Sequence, residues 1–193
     1  MDFQTETIKQ EKKPLSTNPK KFVLWLFMVS IIMLFAGLTS AYIVRRLEGN
    51  WVQFELPGIF WVNTIVLLLS SATIHWAYLS AKRNNLNDLK IALIFTTVLG
   101  SGFLYGQFVG WQHLVEIGVY LVGNPSGSFM YVFTGVHGFH LITGVIFMII
   151  VLILSVQHKV HSKSMLSIEM CATYWHFLDG LWLYLFIFML LSR

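Results

Sequence analysis

The chain has 193 residues, of which 56% are hydrophobic and only 11% are Asp, Glu, Lys or Arg. Soluble domains carry about 25% charged residues, so this composition excludes both a soluble globule and a wholly disordered chain. The single cysteine, Cys171, excludes a disulfide scaffold, a four-cysteine zinc site, a CxxCH haem attachment and a dicysteine copper centre. We therefore predict an all-α membrane protein.

A polar N-terminal segment precedes five apolar runs. Residues 1–21 contain five lysines and form no apolar face, which predicts a disordered basic tail. Each apolar run is at least 20 residues long and free of Lys and Arg, enough to cross a hydrocarbon core of about 30 Å as a helix. Residues 22–193 are thus predicted to form a polytopic bundle of five transmembrane helices, with spans of about 22–44, 59–79, 91–110, 128–156 and 168–191.

The distribution of positive charge predicts the orientation. Ten of the 13 Lys and Arg residues lie in the tail and in the 80–90 and 157–167 loops. The positive-inside rule then places the N-terminus in the cytoplasm and the C-terminus on the opposite side. We expect a multi-pass protein of a bacterial plasma (inner) membrane, with the mitochondrial inner membrane as second choice, and no nucleic-acid partner.

Four polar residues are predicted to lie at membrane depth. Burial of a polar group there costs free energy, so we expect each to have a structural or functional role. His137 and His140 share one face of the fourth span, and His176 and Asp179 share one face of the fifth. Imidazoles in this pattern could bind zinc, copper or haem. We favour structural hydrogen bonding, because HxxH alone is a weak signal and nothing completes a tetrahedral site. The prediction is a buried polar network, with no catalytic, cofactor or metal ligand residue.

Depth arithmetic suggests a partner for the carboxylate. Asp179 lies ~16 Å from one membrane face and His140 lies ~12 Å from the other, so both sit at one level of a core of roughly 30 Å. We predict that Asp179 meets His140 before His137, with His176 sharing the network. Clamping of helices is favoured over proton relay.

Two further groups of residues suggest contacts. Gly102, Gly106 and Gly110 form a double GxxxG, which favours close helix packing within the bundle or against another subunit. Basic and histidine residues at helix ends suit phospholipid headgroups, although topology alone explains those charges. These candidates are Lys82, Arg83, His158, Lys159 and His161.

Several segments in order along the chain resemble one family. They are VNTIVLLLSSATIHWA (62–77), GQFVGWQHLVEIG (106–118), FTGVHGFHLITG (133–144) and YWHFLDGLWLYLF (174–186). Together they are similar to subunit III of the haem–copper respiratory oxidases, and the resemblance runs from about residue 22 to the C-terminus.

The resemblance implies a non-catalytic core subunit of a proton-pumping terminal oxidase. Such a subunit binds no haem and no copper, which reside in partner subunits. It packs beside subunits I and II, holds structural phospholipid, and supports assembly and sustained proton uptake. A supercomplex with a quinol–cytochrome c oxidoreductase is a further partnership that the family allows.

Two departures from the family pattern stand out. Many members have seven helices, and the missing pair here is the N-terminal one, so the lipid cleft of those members is incomplete or is completed by another subunit. The family usually has a carboxylate after the serine of the first span found here, but Ile31 follows Ser30. A titrating carboxylate at that position therefore has no part in this protein.

The electron donor of the complex stays open at this stage. Cytochrome c is preferred, because the C-terminal segment resembles cytochrome c oxidases, and a quinol is the alternative. A b-type haem or metal protein using His137, His140 and His176 is a weaker hypothesis, and a small transporter is weaker still.

Overall fold

The computed structural model describes residues 18–157 and 165–192, and these ranges contain α-helices and no strand. All five helices are long and apolar enough to cross a membrane. The prediction of an all-α fold with five transmembrane helices is confirmed. The helices are α1 (Pro19–Leu47), α2 (Ile59–Lys82), α3 (Leu86–Glu116), α4 (Pro125–Val156) and α5 (Leu166–Leu191).

The helices extend beyond the apolar runs at several ends. The Asn18 side chain caps α1 by accepting a hydrogen bond from the Lys20 backbone N–H at 3.1 Å, so residues 19–21 are helical rather than part of a tail. Residues 1–17 lie outside the described residues. Asn85 caps α3 in the same manner, so this helix begins at Leu86, five residues before the predicted span. Hydropathy marks only the part of a helix in hydrocarbon, whereas polar caps set where the helix begins.

A repeat of alternating three and four residues runs through the buried positions of α3. The same spacing recurs in α2, α4 and α5. Side chains spaced at an average of 3.5 residues interlock between helices that cross at about 20°, as in most helical bundles. In α3 the positions are Leu89, Leu93, Thr96, Gly100, Phe103, Gln107, Gly110 and Leu114.

Helices α2 to α5 form a closed ring of contacts, in which α2 packs on α3 and α5, and α4 packs on α3 and α5. The rings of Phe103 and Trp182 meet in its interior, 4.9 Å apart between centroids. In the described part of the chain α1 lies outside the ring and contacts only α4 and α5. A groove of about 410 Å³ separates α1 from α5, between Phe35 and His176.

Candidate functional site

His137 lies at the centre of the ring and is fully buried. Its ring stands 5.1 Å from Trp182 of α5 and 5.9 Å from Phe103 of α3, measured between ring centroids. Neither ring nitrogen has a hydrogen-bond partner among the described residues. His137 is therefore held by aromatic packing on two neighbouring helices.

His140 faces α1 instead. Its Nδ1 donates to the backbone carbonyl of Val136 at 2.8 Å, and its ring lies about 6 Å from Phe27 and Phe35 of α1. The i, i+3 spacing thus places the two imidazoles of α4 against different neighbours. They do not converge on one site.

His176 belongs to the contact between α5 and α2. Its Nδ1 shares a hydrogen bond with the Ser71 hydroxyl at 2.7 Å. The ring of His75, which is exposed on α2, stands 6.2 Å from the His176 ring. Ser71 and His75 were not among the predicted site residues, although both belong to the sequence segment that carried the family resemblance.

Asp179 is 4% exposed and does not pair with an imidazole of α4. Both carboxyl oxygens lack a hydrogen-bond partner within residues 18–157 and 165–192. Its polar neighbour is the Ser71 hydroxyl, which lies beside it without completing a hydrogen bond. The expected Asp179–His140 bond is therefore absent, because His140 is turned towards α1 while Asp179 is turned towards α2.

The histidines do not assemble into a ligand set. Over the described ranges, no group of three or more His, Cys, Asp or Glu side chains could hold a metal ion. Cys171 is buried on α5. The arrangement can pack helices and pass protons between hydrogen-bonded groups, but it offers no convergent coordination site.

Hydroxyl groups of α2 receive hydrogen bonds from aromatic side chains of α5. The indole N–H of Trp175 donates to Ser70 Oγ, and that of Trp182 donates to Thr64 Oγ1, both at 3.0 Å. The two tryptophans are one seven-residue repeat apart on the buried face. The sequence signal that would have found this pairing is the seven-residue spacing of the tryptophans.

The three glycines of α3 differ in environment. A Cβ on Gly106 would strike the amide of Asn63, and one on Gly110 would contact Phe60 at 3.1 Å, so both lie against α2. Gly102 is exposed, and nothing lies within 4 Å of the place a Cβ would take. Gly102 therefore does not pack on another helix of this chain. Gly100 does, beneath Trp175.

Charged groups lie at the end of the bundle where α1 begins. Lys21 of α1 pairs with Glu169 of α5 at 2.7 Å, with both side chains partly exposed. Lys82 and Arg83 are exposed at the end of α2. The other three predicted headgroup residues, His158, Lys159 and His161, lie outside the described residues.

Comparison with known proteins decides the family. The family described as cytochrome c oxidase subunit III matches residues 2–192. The chain belongs to the cytochrome c oxidase subunit III family. Membership makes it a non-catalytic subunit of a terminal oxidase that works together with other oxidase subunits.

Curated relatives of the chain come from bacteria and animals. The chain is 34% identical to cytochrome c oxidase subunit 3 of Synechocystis, covering 87% of the chain and 73% of the relative. The subunit 3 of Corynebacterium diphtheriae is 30% identical, over 83% and 82% respectively. That of Rattus norvegicus is 30% identical, over 94% and 72%. With its five membrane-spanning helices, the chain is thus a multi-pass membrane protein, as its family membership also indicates.

Proposed function

We propose that this chain is subunit III of a proton-pumping cytochrome c oxidase in a bacterial inner membrane. It packs beside subunits I and II, which carry the haem and copper, and it supports assembly and sustained proton uptake without a redox centre of its own. The N-terminus lies in the cytoplasm. The family match supports the assignment, and the separate placement of the histidines favours a structural subunit over a haem protein.

The observation that carries the scaffold role is the bonding of α2 to α5. Both buried indoles of α5 and the imidazole of His176 use hydroxyl groups of α2. Polar groups at this depth are therefore used to hold the helices of the ring in register. The outward faces expose large apolar side chains such as Trp61, Phe95 and Ile146, which suit contacts with other membrane subunits and with lipid tails.

Phospholipid is a further expected ligand of this subunit. Lys82 and Arg83 end α2 on the side where positive charge accumulates, so their cations can meet anionic headgroups. The donor to the whole complex is cytochrome c in our proposal, with quinol as the alternative. Association with a quinol–cytochrome c oxidoreductase would follow from a cytochrome c donor.

Purification of the tagged chain in mild detergent tests the assignment. We expect a haem- and copper-bearing catalytic subunit to co-purify, and the complex to oxidise reduced cytochrome c faster than a quinol. Faster quinol oxidation would move the chain to a quinol oxidase. A Soret band that stays with this chain after the other subunits are removed would overturn the proposal in favour of a haem protein.

A further inference from the structure

A line of polar side chains follows the contact between α2 and α5. It begins at His75, which is exposed about 10 Å along the helix axis from Lys82. The His75 ring stands 6.2 Å from that of His176, and His176 Nδ1 is 2.7 Å from Ser71 Oγ. The line ends at Asp179, whose carboxyl group lies beside the Ser71 hydroxyl.

Asp179 closes this line as a neutral acid. It is 4% exposed, and neither oxygen has a hydrogen-bond partner in the described ranges. A carboxylate without partner or water is strongly disfavoured at such depth, so the group holds its proton. The carboxylic O–H of Asp179 donates no hydrogen bond, and the nearby Ser71 hydroxyl oxygen can accept one.

The other helices that pack on α5 offer no comparable route. From α4, His137 meets Trp182 and Phe103, while His140 donates to its own helix at Val136. From α1, the residues that face His176 across the groove are Ile32, Phe35 and Ala36, and the ion pair Lys21–Glu169 lies at the helix end. Thr143 of α4 bonds the Tyr174 hydroxyl of α5 at 2.9 Å, apart from this line. Among the described residues, the one hydrogen bond of the line joins α5 to α2, from His176 to Ser71.

We propose that Asp179 is a proton-exchange site connected to the N-terminal side of the membrane through Ser71, His176 and His75. Asp179 passes its proton to Ser71 Oγ as Ser71 passes its own proton to His176 Nδ1. His176 then releases a proton from Nε2 to His75 by way of a bridging water molecule, and His75 releases it to the aqueous side. A second proton returns by the same groups, so exchange leaves the acid neutral and the hydroxyl restored.

Infrared spectroscopy of the full chain, purified with its partner subunits, tests the proposal. The C=O stretching band that Asp179→Asn removes is assigned to Asp179, and its shift is followed after transfer from H₂O to D₂O. Ser71→Ala removes the hydrogen bond to His176 and His75→Gln removes a group that carries a proton, so each should raise one barrier and slow that shift about tenfold. Ser70→Ala is the matched control, because Ser70 is adjacent to Ser71 but accepts a hydrogen bond from Trp175 instead.

Three results would overturn the proposal. They are a wild-type band that does not shift in D₂O, a spectrum in which Asp179→Asn removes no carboxylic acid band, and unchanged exchange in both Ser71→Ala and His75→Gln. His75 is exposed, so its variant reports on exchange even where Ser71→Ala fails to fold. The exchange is measured without turnover, so its result is separate from that of the co-purification test of the oxidase assignment.

Discussion

Glycines four residues apart on α3 have different surroundings. Successive fourth residues of a helix turn by about 40° around its axis, and the buried face of α3 follows the 3.5-residue repeat instead. Gly106 consequently stays next to Asn63, whereas Gly102 turns to the outside. A GxxxG pattern indicates a capacity for close approach, but the neighbouring helix decides which glycine uses it.

Gly106→Ala is expected to destabilise the protein by about 1–3 kcal/mol, because the added Cβ overlaps the Asn63 amide in a packed interface. Gly102→Ala adds the same methyl group into open space and should be neutral or stabilising by up to about 1 kcal/mol, since alanine favours a helix. Thermal denaturation of both variants in detergent measures the difference. Equal stability of the two would contradict the packing assigned to Gly106.

Residue counts within a helix predict the depth of a polar side chain but not its direction. Residue counts place Asp179 and His140 near one level of the membrane, yet His140 faces α1 and Asp179 faces α2. Direction depends on how far each helix is rotated about its axis. That rotation is set by the packing of large side chains such as Trp175 and Trp182. Residue spacing within one helix carries no information about this packing.

At the scale of elements, α2 and α5 are joined by hydrogen bonds between side chains. Thr64 Oγ1 accepts from Trp182 and donates to the Phe60 carbonyl of its own helix at 2.8 Å. Side-chain hydrogen bonds between membrane helices contribute about 0.6 kcal/mol on average and up to about 1.7 kcal/mol. The buried position of this pair favours the upper part of that range.

A double-mutant cycle of Thr64→Val and Trp182→Phe should give a coupling free energy of about 1–1.7 kcal/mol. Thr64→Val alone leaves the indole N–H of Trp182 buried and unpaired. Loss of this hydroxyl should therefore cost more stability than the loss of a hydrogen bond whose two partners are both removed. Equilibrium unfolding in mixed micelles measures the coupling. Thr97→Val is the control, because in the described ranges Thr97 bonds the Leu93 carbonyl of its own helix and not α5. A coupling near zero between Thr64 and Trp182 would refute the assigned bond.

Helix α1 is fastened to α5 by few polar contacts, among them the pair Lys21–Glu169. Reversal of one charge, in Lys21→Glu, should raise the hydrogen-exchange rate of the first turns of α1 by a small factor, since exposed pairs contribute less than about 1 kcal/mol. The combined variant Lys21→Glu, Glu169→Lys should restore the slower exchange. Failure of the swap to restore it would show that the pair does not hold α1.

For the whole molecule, the sequence predicted the number and type of helices because hydrocarbon thickness fixes the length of an apolar span. It did not predict that α1 would lie outside a ring of the other four. Ring closure depends on the bonds Trp175–Ser70 and Trp182–Thr64 between helices far apart in the chain. Apolar residues face both protein and lipid, so hydropathy alone does not distinguish these surroundings.

Lipid retention is a property of the assembled molecule and its membrane. The double variant Lys82→Gln, Arg83→Gln should lower the phospholipid that remains after purification, because each cation near anionic lipid contributes ~1 kcal/mol. The control Arg45→Gln, Arg46→Gln removes the same charge at the opposite end, where we propose the outer surface, and should retain more lipid. Phosphorus analysis measures both, and unchanged retention in the first variant would contradict headgroup binding there.

The position of α1 outside the ring has a consequence for how the chain is made. α1 is synthesised first, yet its hydrogen-bonding partners on α5 and beyond come last, with Tyr42 donating to the Ser192 carbonyl across 150 residues. At the usual rate of translation this interval lasts roughly 10–30 s, and until α4 is made α1 has no helix of this chain to pack on. The α2–α3 hairpin can close far earlier. Insertion of α5 therefore completes the docking of α1, and a nascent chain stopped before α5 would hold α1 by its apolar contacts with α4 alone.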